Sequence, residues 1–449
     1  MANVIKLRKG LDISLKGKAE EVLFTVEEPG LIGLVPDDFP GVTPKIVVRP
    51  DQEVKAGTPL FIDKKNPEVK FVSPVSGVVT AVERGARRKV LNITVRPSSA
   101  QEYVDFGKKD VAKLSAEEIK STMLASGLFG FIKERPYDVV ANPNSKPRAI
   151  FVSGFDSNPL AGNFEFKLKG DEENFQTGLD VLSKLAKTYL SISINQTSPA
   201  LTQAKNVEIN VFDGPHPAGN VGVQINHIAP VSKGEVVWTV SAEAVIFMGR
   251  LFNTGKVDFT RTVAFVGSEV KKPAYCKLQL GTQLTNLFKG KVNDDKKLRY
   301  ISGSVLSGRH IAADGFLGAT DSIVTVIPEG DDVHELFGWI MPRTDQFSVS
   351  HSYFSWLQGK KEYTLDARIK GGKRHMIFSN EYDKVLPMDI FPEYLIKAIL
   401  AGDIDRMEQL GIYEVAPEDF ALCEFVCSSK MELQKIVRNG LDMLRAEMC

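Results

Sequence analysis

Cys423 and Cys427 are the closest pair of thiols in the chain and the first place to look for redox or metal chemistry. An ordinary cubane iron–sulfur cluster takes four thiolate ligands, so a lone CxxxC pair cannot hold one. Cys276 and Cys449 are remote in sequence, and Cys276 reads as a small buried hydrophobe. Four cysteines so unevenly placed form no disulfide framework and fit a reducing, cytoplasmic setting. The six histidines run from His216 to His375 with no HExxH or comparable spacing. No catalytic residue and no metal ligand is therefore assigned.

Three stretches have the composition of binding loops. In Asp213-Gly214-Pro215-His216-Pro217-Ala218-Gly219-Asn220-Val221-Gly222, small residues follow a strand pattern, as a phosphate-cradling turn requires. A dinucleotide fingerprint passes from its glycines directly into a helix. Pro215 and Pro217, with the partly extended pattern of 221–228, predict a structural turn instead, leaving His216 and His227 as hydrogen-bonded loop or core residues. The polar loop Asp156-Ser157-Asn158 falls at the carboxyl end of a buried strand, where open α/β sheets place ligands. The segment 347–356 brings Phe347, Tyr353, Phe354 and Trp356, side chains suited to a flat apolar ligand or to packing between domains. The basic run Arg87-Arg88-Lys89 reads as a solvated hairpin.

Positioning these residues takes several units, because 449 residues exceed what one hydrophobic core serves. Residues 46–97 show β-branched runs of a few residues broken by Gly, Pro, Asp and Asn, the pattern of short antiparallel strands. Gly57 and Gly77 mark positive φ or close backbone approach. Ser115 with Glu118 is a capping box, predicting a helix from Ala116 to Ser126 that stops at Gly127, followed by an irregular connection over 130–137. Strand patterns at 148–154, 190–194 and 207–212 alternate with a helix over 174–187, and 236–247 passes from strand to helix around a buried Trp238. Strands recur at 261–267, 274–278, 298–303 and 321–328. A helix is expected over 329–341, and the remaining chain is helical from Pro392 onward.

The 56 basic and 56 acidic residues cancel, which leaves no global field for nucleic acid or an anionic surface. No run of 18 apolar residues predicts a membrane span, and charges interrupt the N-terminal apolar residues as they would not in a secretory signal.

The 46–97 unit resembles a barrel-sandwich hybrid, the biotinyl and lipoyl carrier fold. Its tip, Asp63-Lys64-Lys65-Asn66-Pro67, lacks the hydrophobic flanks of a modified lysine, so Lys65 is expected to be an ordinary surface residue. That unit, with Ser73-Pro74-Val75-Ser76-Gly77, precedes Glu335-Leu336-Phe337-Gly338-Trp339, Leu386-Pro387-Met388-Asp389-Ile390 and Ala421-Leu422-Cys423-Glu424-Phe425-Val426-Cys427. In this order the chain resembles, over essentially its whole length, the A subunit of the bacterial sodium-translocating NADH:quinone oxidoreductases. The C subunit of the Rnf electron-transport complex is a related architecture.

The resemblance implies four units: a barrel-sandwich hybrid over 1–100, a Rossmann-like α/β domain over 101–256, a β-grasp domain of SLBB type over 257–330, and a linker with a helical domain over 331–449. It implies a peripheral subunit without flavin, cluster or metal, on the cytoplasmic face of the bacterial inner membrane. Its partners would be the membrane-embedded B subunit of the complex, the other members of that six-subunit assembly, and ubiquinone or menaquinone at the interface with the membrane partner. The Rnf relative has CxxCxxCxxxCP ligand sets, whereas only Cys423 and Cys427 stand here, with Ser428 in place of the proline. The competing classes are an Rnf-like component and a stand-alone flavin or NAD oxidoreductase.

Overall fold

Short alternating runs in the first hundred residues build two small antiparallel sheets. One contains, in spatial order, Ile32–Leu34, Val90–Pro97, Gly77–Arg84 and Glu53–Val54; the other contains Pro44–Ile46, Pro59–Asp63 and Lys70–Val72. Phe61, Phe71, Val79, Ile93 and Val95 are buried in their core, with Phe61 stacked on Phe71 at 4.5 Å between ring centroids. Gly57 has φ +98°, and a Cβ on Gly77 would collide with the Arg96 carbonyl oxygen, which meets both glycine expectations. The tip turn is organised by Asp63. Its buried carboxylate accepts the backbone N–H groups of Thr43, Lys65 and Asn66 at 3.0, 3.2 and 3.2 Å, and Lys65 itself is exposed. Ala86–Arg88 forms an exposed turn, with Lys89 reaching Asp37 at 2.6 Å.

The computed structural model describes residues 3–331, 337, 340–359 and 361–448. Most of the helix expected over 329–341, and most of the 335–339 phrase, lie outside them.

A seven-stranded sheet follows, in the order Asn3–Lys6, Glu208–Asp213, Thr188–Ser193, Ile150–Ser153, Val237–Ser241, Ile132–Arg135 and Val139–Val140. The first five strands are parallel, and Ile132–Arg135 runs antiparallel to Val237–Ser241. One local expectation is corrected by this sheet: the stretch expected as an irregular connection over 130–137 supplies a strand. The N-terminal strand also joins it, pairing with Glu208–Asp213. Pairing recruits both because each completes the backbone hydrogen bonding of an otherwise open edge.

Ala116–Ser126 is a helix with the full Ser115 and Glu118 capping box and Gly127 at φ +78°. Glu172–Leu185 and Ala242–Thr254 pack on each other against the sheet, and a Cβ on Gly249 would strike the Asn174 carbonyl.

The third unit is a six-stranded sheet ordered Arg309–Ile311, Leu298–Ser302, Ile323–Pro328, Arg261–Val266, Ala274–Leu278 and Glu20–Phe24. The helices Pro392–Ala401, Ile404–Gln409, Ala421–Val426 and Leu433–Met448 complete the molecule. One core joins these parts: Leu7, Ile13 and Leu15 pack with Phe212, Tyr275, Leu395 and Leu441 among its members. The N-terminal segment therefore straps the α/β, β-grasp and helical units together.

Candidate functional site

The glycine loop departs from its expectation in one respect. Val221–Ile228 is a helix, so the loop does pass from glycines into a helix N-terminus. Pro215 and Pro217 precede that helix and do not interrupt it. The C-terminal unit packs directly against the first turn of this helix. A Cβ on Gly222 would collide with the carboxylate of Asp419, a residue of the C-terminal unit, and Asn220 Nδ2 donates to the Glu418 carbonyl at 3.2 Å. Only glycine allows this approach.

Asp419 belongs to a buried charge cluster that the sequence does not announce, since Glu418 and Asp419 have the pattern of first-turn helix acids. Arg135, 2% exposed, lies 3.7 Å from Asp419, 3.5 Å from Glu418 and 3.8 Å from Asp138. Burial pushes the Asp419 carboxyl up to about 7, against the opposing pull of Arg135. The carboxylate accepts the Ala416 N–H at 2.8 Å. The signal that could have found the cluster is the strand ending at Arg135, a stretch whose composition suggests an irregular connection.

The polar loop meets the same glycine loop. Ser157 Oγ lies 2.9 Å from His216 Nδ1 and accepts the Gly219 N–H at 2.8 Å. His216 is fully enclosed, and burial lowers it to about 4 despite the nearby carboxylates of Asp156 and Asp12. This agrees with the reading of His216 as a hydrogen-bonded core residue. His227 Nδ1 lies 2.9 Å from the Val223 carbonyl oxygen within its own helix. Asn158 reaches across to Ser304 Oγ at 3.3 Å, on the turn that carries Val305 and Leu306.

That turn connects the polar loop to the aromatic segment. Leu306, Phe347, Tyr353, Leu365, Phe425 and Met431 wall a cavity of about 800 Å³ between the β-grasp and helical units. Lys373, Ser379, Lys430 and Gln434 add polar groups, and Gln434 Nε2 donates to the Leu306 carbonyl at 3.0 Å. A neighbouring cavity of about 350 Å³ shares Val305, Leu306, Leu365, Asp366, Arg368 and Phe425 as its wall. Phe347 packs edge-on to Tyr363 at 5.5 Å and tilted to Phe425 at 6.0 Å between centroids. The aromatic segment is thus divided: Phe347 and Tyr353 face the cavity, while Phe354 and Trp356 are exposed, Trp356 stacking on His351. A volume near 800 Å³ is of ligand size, about 300–1,000 Å³, and its wall mixes these apolar side chains with charged ones such as Asp366, Arg368, Lys370, Glu424 and Glu432.

The described cysteines, Cys276, Cys423 and Cys427, are all buried and free of disulfides. Cys423 and Cys427 are buried in the helical core, where Tyr382 Oη donates to Cys427 Sγ at 2.9 Å, and burial holds the Cys423 thiol well above the usual range. A Cys423 thiol held protonated in apolar packing does not suit a cluster. Among the described residues, no group of three or more His, Cys, Asp or Glu side chains has metal-binding geometry.

Family profiles match the chain in three consecutive parts: the NqrA N-terminal barrel-sandwich hybrid domain over 5–98, the NqrA second alpha/beta domain over 114–257, and the NQRA C-terminal domain, of SLBB type, over 262–313. The Na(+)-translocating NADH-quinone reductase A subunit from Yersinia pestis bv. Antiqua (strain Angola) is 35% identical over 449 residues, covering 99% of this chain and 100% of the relative. The chain belongs to the NqrA family, the A subunits of sodium-translocating NADH-quinone reductases. NqrA relatives from Serratia proteamaculans (strain 568) and Photorhabdus laumondii subsp. laumondii are each 36% identical, again over 99% of this chain and all of the relative. The resemblance carried by the ordered motifs is borne out, as is the sequence of barrel-sandwich, α/β and SLBB-like units that goes with the NqrA family. No helix among the described residues is long and apolar enough to cross a membrane.

Proposed function

We propose that this chain is a peripheral subunit of a sodium-translocating NADH:quinone reductase on the cytoplasmic face of the bacterial inner membrane. It supports the terminal reduction of quinone to quinol, coupled to sodium export, and is not catalytic alone. The observation that carries this reading is end-to-end similarity, at 35–36% identity, to relatives named as the A subunits of such reductases. Its partners in this reading are the membrane-embedded B subunit of the complex and the remaining members of a six-subunit assembly. A working division of the chain is 1–100, 101–256, 257–330 and 331–449.

The cavity under Phe347 is the best-supported place for ubiquinone or menaquinone. Phe347, Tyr353, Phe425 and Leu306 in its wall suit a flat ring, and Lys430 and Ser379 provide donors for ring carbonyls. A flavin or NAD enzyme is less well supported, because the Asp419 carboxylate packs against the first turn of the helix after the glycine loop, an unfavourable neighbour for a phosphate. Selective removal of this chain from the detergent-solubilised complex should abolish quinone reduction while NADH oxidation by an artificial acceptor continues. Joint loss of both activities, or undiminished quinone reduction, would refute the reading.

A further inference from the structure

Helix Pro392–Ala401 buries Leu395, Ile396, Ala398 and Ile399 in the C-terminal core. The opposite side of a surface helix is ordinarily polar. Here it is apolar as well: Phe391, Tyr394 and Leu400 are 65%, 57% and 53% exposed. The one carboxylate on this helix, Glu393, is turned inward. Its Oε1 accepts the backbone N–H groups of Ser379 and Asn380 at 2.9 Å each and the Ser379 hydroxyl at 3.0 Å. This staple holds the preceding segment against the helix and sets Phe378 beside Tyr394, 4.9 Å between centroids, with Lys397 Nζ 3.8 Å from the Phe378 ring centroid.

The stapled segment is basic. Arg368, Lys370, Lys373 and Arg374 occur with no acidic residue from 367 to 380. Arg368 and Lys370 pair with Asp366, and Lys373 pairs with Glu432. Among the described residues, Arg374 and Lys397 have no carboxylate at salt-bridge distance.

We infer that Phe378, Phe391 and Tyr394, flanked by Lys373, Arg374 and Lys397, form a face that seats on the headgroup region of an anionic bilayer. Exposed rings enter the boundary between headgroups and acyl chains, and the cations meet anionic headgroups. Turning the helix's carboxylate inward removes the charge that such a surface would repel. The face goes beyond the role proposed above and can fail independently of it.

Flotation of the full chain with vesicles tests this directly, using phosphatidylcholine alone or mixed with phosphatidylglycerol. Binding should require phosphatidylglycerol and weaken with salt. It should fall about fivefold for each of Arg374→Gln and Lys397→Gln, and be lost in the double variant Phe391→Ser/Tyr394→Ser with its melting temperature preserved. Three results would overturn the inference: no flotation, flotation indifferent to lipid charge, or flotation unchanged by the aromatic variant. So would an aromatic variant that still floats but no longer joins the detergent-solubilised complex, since the face would then meet protein. Quinone reduction in detergent is a separate readout, so failure at vesicles leaves the proposed function standing.

Discussion

His216 is the clearest titrating group outside the charge cluster. Burial lowers it from 6.5 to about 4, so the folded chain holds a neutral imidazole while the unfolded chain protonates near 6.5. The unfolded state therefore binds more protons between these values, and stability contributed by the neutral form above pH 6.5 is lost as pH falls toward 4. That loss amounts to about 3 kcal/mol. His216→Gln has no such proton, so wild type should lose stability relative to the variant over this window, as read from paired melting curves. A difference that stays constant with pH would contradict a neutral buried imidazole. Its burial was expressed only weakly in the sequence: His216 sits in a Gly- and Pro-rich loop, and Ser157 comes from a strand end about sixty residues earlier.

At the level of elements, local signals performed well where they act within one turn. Ser115, Glu118 and Gly127 mark a helix whose ends need no distant partner. Ser115→Ala should cost about 1 kcal/mol, visible as a lower melting temperature. Helix Val221–Ile228 was obscured by the prolines before it, and its packing depends on a residue almost two hundred positions away. Gly222→Ala should destabilise the chain by about 1–3 kcal/mol through the clash with Asp419. In an Asp419→Ala background the same substitution should cost much less, and a double-mutant cycle measures that coupling. Additive effects would show that the carboxylate does not press on this helix.

Across the molecule, the C-terminal helices wall the larger cavity and the N-terminal segment walls the smaller one beside it. Leu15 pairs with Tyr363 in the wall of the smaller cavity, while Leu306, Phe347 and Phe425 reach the larger one from distant parts of the chain. Leu306→Trp should fill part of this space and lower quinone reduction by the assembled complex severalfold, while NADH oxidation with an artificial acceptor is unchanged. Equal effects on both rates would point to misassembly instead of a blocked cavity. The aromatic composition of 347–356 hinted at such a slot, but which rings face it was not legible, since Trp356 and Phe354 look no different in sequence from Phe347.

By itself the sequence determined the short strands of the barrel-sandwich unit and the capped helices, because each rests on residues within a few positions of one another, and the order of motifs that identifies the family, because order along the chain needs no tertiary contact. The tertiary structure decided the rest. Asn3–Lys6 completes the edge of a sheet formed two hundred residues later, Asp419 takes the seat above Gly222, and three remote segments share one cavity. Edge pairing, close approach at a glycine and convergence of walls are properties of neighbours in space, and local patterning carries no record of them.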